Sequence, residues 1–234
     1  MSYRRGIVLL LLLLSAAYTG YAQSIDTTFS PVSVRGWQVL VNTSLKQNKP
    51  VYDSVIDQLQ NDLYLIQRSL PEVVVSKLRA TMIAFELAHP DQPVIQYHPV
   101  NYNKEYFTKY NIASSLRGSC HLAYARKYLQ ASAHSRSLLV SSLAYSFYDR
   151  FAIDNDKVFQ ELYDKALAAK TYDSISTALG TAKYGSILRT KADYFACMMA
   201  AICSLGDTYP YSVLEAERLD PNTTSYIRKL LLGN

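Results

Sequence analysis

The pattern of this chain predicts an α+β domain, a small N-terminal mixed sheet ahead of a mainly helical C-terminal half. Two observations carry that expectation. Short β-rich segments fall early, at residues 37–41, 80–87 and 119–123, whereas apolar stretches of helical length fill the later chain, at 137–151 and 190–205. Strands first and helices afterwards is the order of an α+β fold. No internal repeat or low-complexity tract divides residues 23–234, so they read as a single domain long enough to bury a core.

Residues 1–22 stand apart. Arg4 and Arg5 precede a short apolar block that includes six consecutive leucines, and Gly20-Tyr21-Ala22 offers small residues for cleavage. This is the layout of a secretory signal peptide, and the block is well under the roughly 20 residues of a spanning helix. The reading implies a secreted or periplasmic protein.

Trp37-Gln38-Val39-Leu40-Val41 alternates and is expected to be the first strand. Pro50 suits a helix start, and Val51, Val55, Leu59, Leu63 and Ile66 recur on one face, predicting a helix over 51–69 closed by Leu70-Pro71. Residues 80–87 form the second strand, broken by His89-Pro90-Asp91-Gln92-Pro93. A short helix is expected over 103–110, then a strand over 119–123 and a helix resuming through Arg126-Lys127-Tyr128-Leu129. Residues 137–151 are apolar on most faces, which predicts a buried helix. Asp154-Asn155-Asp156 caps the next, running to about Lys170, and residues 171–189 read as irregular. A second apolar helix over 190–205 stops at Gly206, and a last one lies over 225–232.

The chain has 24 Lys+Arg against 19 Asp+Glu; without Arg4 and Arg5 that is 22 against 19, a net of +3. So mild and scattered an excess points to neither nucleic acid nor an anionic membrane. The twenty tyrosines are expected mostly as half-buried core residues. Cys120, Cys197 and Cys203 are odd in number, and Cys197 and Cys203 are too far apart on one helix to bond, so buried unpaired thiols are expected, although Cys120 has the option of either partner.

Chemistry concentrates in the helix over 137–151, at Ser141-Ser142-Leu143-Ala144-Tyr145-Ser146-Phe147-Tyr148-Asp149. Together with Val39-Leu40-Val41-Asn42, Gln96-Tyr97-His98-Pro99, Ala125-Arg126-Lys127-Tyr128-Leu129, Asp193-Tyr194-Phe195-Ala196-Cys197, Asp207-Thr208-Tyr209-Pro210-Tyr211 and Asp220-Pro221, it resembles, in order and spacing, the secreted bacterial zinc metallopeptidase-like proteins of the gluzincin type, with a lethal-factor-like catalytic fold. The resemblance spans residues 37–221 and implies a zincin-like domain. In that family the helix reads His-Glu-Leu-Ala-His. Two histidines four apart hold zinc and the glutamate activates the metal-bound water.

Carried over position by position, Ser141 stands for the first histidine, Ser142 for the glutamate, Tyr145 for the second histidine and Cys197 for a third-ligand glutamate. Hydroxyls, and a phenol that keeps its proton to a pKa of about 10, are poor zinc ligands. The resemblance therefore implies a dismantled site, packed shut by its replacements, with no cofactor in place of the family's zinc. The implied role is a peptide- or protein-binding module whose partner is a peptide or an envelope protein. The alternative is an active secreted metallopeptidase with a displaced metal on His98 and His121, joined by Cys197. Three further features read blandly. Phe85-Glu86-Leu87-Ala88-His89 mimics a zinc motif but runs into Pro90, which disfavours a helix. Ser141 and Ser142 lack the Gly-x-Ser-x-Gly turn of a nucleophile. Asp149-Arg150 is expected as a helix-end ion pair.

Overall fold

Arg35 and Gly36 both adopt positive φ, 49° and 84°, the backbone of a two-residue hairpin turn whose twist matches the flanking strands. They join β1 (Phe29–Val34) to β2 (Trp37–Asn42) in antiparallel register, Val34 opposite Trp37. The first strand is therefore one element earlier than expected. Pro31 and two serines hide β1 in the sequence, and its place at the sheet edge is where proline is tolerated.

The structure, a computed structural model, describes residues 28–89, 92–172 and 187–232. The expected signal peptide and most of the expected irregular stretch over 171–189 lie outside the described residues.

Asn42 ends β2 and caps α1 (Thr43–Gln47), accepting from the Ser44 amide at 3.0 Å. α2 (Lys49–Ser69) carries Pro50 in its first turn and buries Val51, Val55, Leu59, Leu63 and Ile66, the predicted stripe. α3 (Glu72–Arg79), not expected from the sequence, starts directly after Pro71 and buries Val74, Val75 and Leu78. β3 (Met82–Phe85) and β5 (Ser119–Leu122) run parallel to β2, whereas β4 (Gln96–Tyr97) pairs antiparallel with β5. The sheet order is β1-β2-β3-β5-β4, so the fold is α+β with a small mixed sheet. Every residue of β5 is buried, as expected for an interior strand covered on both faces. α4 (Lys104–Lys109) and α5 (Ala125–Ser132) flank it in sequence.

The helical half comprises α6 (Leu138–Arg150), α7 (Lys157–Ala168), α8 (Lys191–Ile202), α9 (Val213–Leu219) and α10 (Pro221–Leu232). Asp156 caps α7 through the Val158 and Phe159 amides, and a capping box between Ser212 and Glu215 opens α9, a helix the sequence reading missed. α6 and α8 face each other through Phe147 and Phe195, stacked at 6.1 Å, with Tyr148 and Phe159 against the same ring. The α8 helix ends before Gly206. Ser204 takes the left-handed turn at φ 56°, and Gly206 instead meets the backbone of Pro210 and Tyr211 too closely for a side chain.

α6 ends on Ala152, which is exposed and left-handed at φ 50°, with its amide bonded to the Asp149 carbonyl at 3.1 Å. An alanine pays a steric penalty there that glycine avoids. Ala152→Gly is expected to raise stability by about 1 kcal/mol, read as a higher denaturant midpoint at unchanged slope.

Six tyrosines share one arrangement. Among the described residues, Tyr97, Tyr128, Tyr145, Tyr148, Tyr172 and Tyr194 each bury a ring and donate the phenol to an aspartate: Asp149, Asp62, Asp193, Asp154 and, for the last two, Asp220. This meets the requirement that a buried hydroxyl find a partner. All three cysteines are unpaired, with Cys120 and Cys203 buried and Cys197 half-buried.

Candidate functional site

Ser141 and Tyr145 lie four apart on α6 and so share a face, with Ser142 beside them. All three line one cleft of about 510 Å³, opposite Gln96, Tyr97 and Tyr102. The replacements do not pack the site shut, contrary to expectation. Serine is too short to fill the space between α6 and β4. Ser142 is buried without a close hydrogen-bond partner, and behind it burial pushes the Cys120 thiol up to about 12, an effect the Ser142 hydroxyl moderates.

The Tyr145 phenol donates to Asp193 Oδ1 across the α6–α8 interface. Asp193 is 16 % exposed, with Arg189 Nε 3.6 Å away. Burial first, and Asp193 second, push the Tyr145 phenol above its ordinary value, so it stays protonated. Cys197, one turn beyond Asp193, also bears on Tyr145; burial pushes its thiol up to about 11 and leaves it a poor thiolate. The residue that touches Tyr145 is Asp193, and Cys197 lies one turn further along the same helix. Spacing places Asp193 and Cys197 on one face of α8, four apart, without saying which of them meets the phenol.

β4 supplies the opposite wall. Ala123 N bonds Val94 O, His98 N bonds Ser119 O, and Gly118 N bonds His98 O, so alternate residues of this strand bond to β5. The intervening Tyr97 directs its N–H and C=O toward the outer edge of the sheet. The Tyr97 ring turns to α6, where its phenol donates to Asp149 Oδ2 at 2.8 Å, and the Val100 amide donates to the same oxygen at 3.1 Å. Asp149 is therefore a clamp on β4, holding the Tyr97 phenol and the exposed Val100 amide; among the described residues it makes no ion pair with Arg150. Asp149→Ala is expected to cost about 1–3 kcal/mol and to loosen β4 first, which amide exchange over residues 94–99 checks.

His98 and His121 meet on the other side of the strand. His98 Nε2 lies 3.0 Å from His121 Nδ1, and both rings are fully buried. Glu86 Oε1 is 3.2 Å from His121 Nε2, although off the line of a hydrogen bond. His89 Nε2 is 3.1 Å from the Asn111 carbonyl oxygen, which fixes that nitrogen as the donor. Glu86 and His89 come from the apparent zinc motif, which is strand and loop as expected.

The displaced metal site of His98, His121 and Cys197 finds no support in the side-chain placement: His98 Nε2 and His121 Nδ1 turn on each other, and the hydrogen-bond partner of the Cys197 thiol is Thr208. Among the described residues, no three His, Cys, Asp or Glu side chains are placed to hold a metal ion. At the two helix positions the resemblance assigns to zinc, the Ser141 hydroxyl and the protonated Tyr145 phenol do not suit the ion.

The chain was compared with protein-family models, with curated proteins and with solved structures, and no match was found in any of the three.

Proposed function

We propose that this chain is a secreted zinc-metallopeptidase homologue of zincin-like fold that has lost zinc and catalysis and binds an extended peptide, free or as part of an envelope protein. The observation that carries the reading is the meeting of Ser141, Ser142 and Tyr145 with the edge strand β4 on one cleft. The edge directs the Tyr97 backbone outward for strand addition, and the wall offers hydroxyls and aromatic rings for side chains. Among the described residues that line the cleft, none carries a formal charge, so an uncharged segment fits best; a charged one would lose water without gaining a partner among them.

The test is titration of the purified protein against a peptide array that varies charge, with Ser141→Trp as the blocked control. Binding of uncharged extended peptides, abolished by the tryptophan, is expected. Peptide hydrolysis by a protein holding stoichiometric zinc, or an absence of binding across the array, would overturn the reading.

A further inference from the structure

We propose that His98 and His121 form an acid-released latch that fastens β4, and with it one wall of the cleft, to the rest of the sheet. Three of the four histidines of the chain gather here with Glu86, all essentially without solvent contact. A contact of 3.0 Å between two ring nitrogens requires that one carry hydrogen and the other be bare. That condition holds only while the pair is short of fully protonated. When both rings become imidazolium, both facing nitrogens carry hydrogen, and two like charges adjoin in the interior.

The surroundings offer little to absorb that charge. Around His98 stand His121 from β5, His89 from the segment after β3, and Tyr106 and Phe107 from α4, with Arg117 lying over the Phe107 ring. Glu86 lies against His121, the farther ring of the pair. His98 Nδ1 and His89 Nδ1 are both buried without hydrogen-bond partners. Burial, then His121, then His89 hold His98 down at about 3.

The backbone converts this into motion. His98 directly follows β4 and bonds both ways to β5, accepting from Gly118 N at 2.7 Å and donating to Ser119 O at 3.0 Å. A charged His98 reaches water only by breaking those bonds. β4 is two residues long, so the unit that must open is small. The folded strand holds His98 below the value of about 6.5 for a free histidine. The released strand therefore takes up more protons between those two values, and the latch is secure above about pH 6.5 and weakens progressively below it.

The experiment reads the strand itself, so its failure is distinct from a failure of peptide binding. Amide exchange over residues 94–99 and 119–123, corrected for intrinsic rates, is measured at about pH 7 and about pH 4.5, with α8, which carries no histidine, as internal control. Protection of β4 is expected to fall at least about tenfold more than that of α8. His98→Gln keeps a side-chain donor but cannot take a proton, and is expected to remove the acid dependence. Histidine proton resonances of the wild type, followed against pH, supply a reading that needs no variant. The proposal is overturned if β4 and α8 respond alike, if His98→Gln retains the acid dependence, or if His98 titrates at about 6.5 as a free histidine does.

Discussion

Changing Ser141 and Tyr145 to histidine and Ser142 to glutamate is expected to yield a folded protein that binds one equivalent of zinc. Ser141 and Tyr145 share a face of α6, and Tyr145 already reaches Asp193 on α8. An imidazole is shorter than a phenol by roughly 2 Å, about one zinc–ligand bond, so Tyr145→His opens room for the ion between the ring and the Asp193 carboxylate. Two imidazoles and a carboxylate make a sufficient protein ligand set. A Kd tighter than about 1 μM, or roughly 8 kcal/mol, is the expected scale, where the wild type shows no such site. Calorimetric zinc titration measures it. Because Asp193 supplies the third ligand, adding Cys197→Glu is expected to change affinity little, whereas adding Asp193→Ala is expected to abolish binding. If the triple variant folds yet binds no zinc, the proposed correspondence with a zinc site is wrong.

Phe195→Ala is expected to be the most damaging single truncation of the α6–α8 interface, at about 3–5 kcal/mol. The ring is fully buried and contacts Phe147 at 6.1 Å, Tyr148 at 5.7 Å and Phe159 at 5.8 Å between centroids. Three aromatic neighbours cannot collapse together into the void, so little of the loss is recovered by relaxation. Chemical denaturation reads the change directly. Phe195→Leu, which keeps most of the volume, is expected to cost less than half as much. The same interface sets Tyr145 against Asp193, so the alanine variant should also lose that contact before it unfolds globally.

The elements that sequence revealed are those with strong periodicity. α2, α6 and α8 present buried stripes or continuous apolar faces, and their bounds fall within a few residues of expectation. β1 was hidden because an edge strand needs no second apolar face and tolerates Pro31. α3 was hidden because Pro71 reads as a terminator when it is also a starter, sitting at the cap of the helix that follows. At the site, spacing on α6 foretold that Ser141 and Tyr145 share a face. What spacing does not carry is the rotation of α8, which turns Asp193 to the phenol. Nor does it carry the register of β4 on β5, which sets His98 against His121 twenty-three positions away. Such juxtapositions belong to the packing of whole elements, where no single residue announces its partner.

The pairing of phenols with aspartates makes alkali an unusual denaturant for this protein. Tyr97, Tyr145, Tyr148, Tyr172 and Tyr194 are all held above the ordinary phenol value, chiefly by burial, with carboxylates adding to it. The native form keeps their protons where an unfolded chain gives them up, so stability is intact below about pH 10 and drains away above it. Ultraviolet absorbance of tyrosinate should consequently rise in two stages, a gradual one from surface rings and then an abrupt one as the interior gives way, so that the pigment of the chain itself reports the moment of collapse.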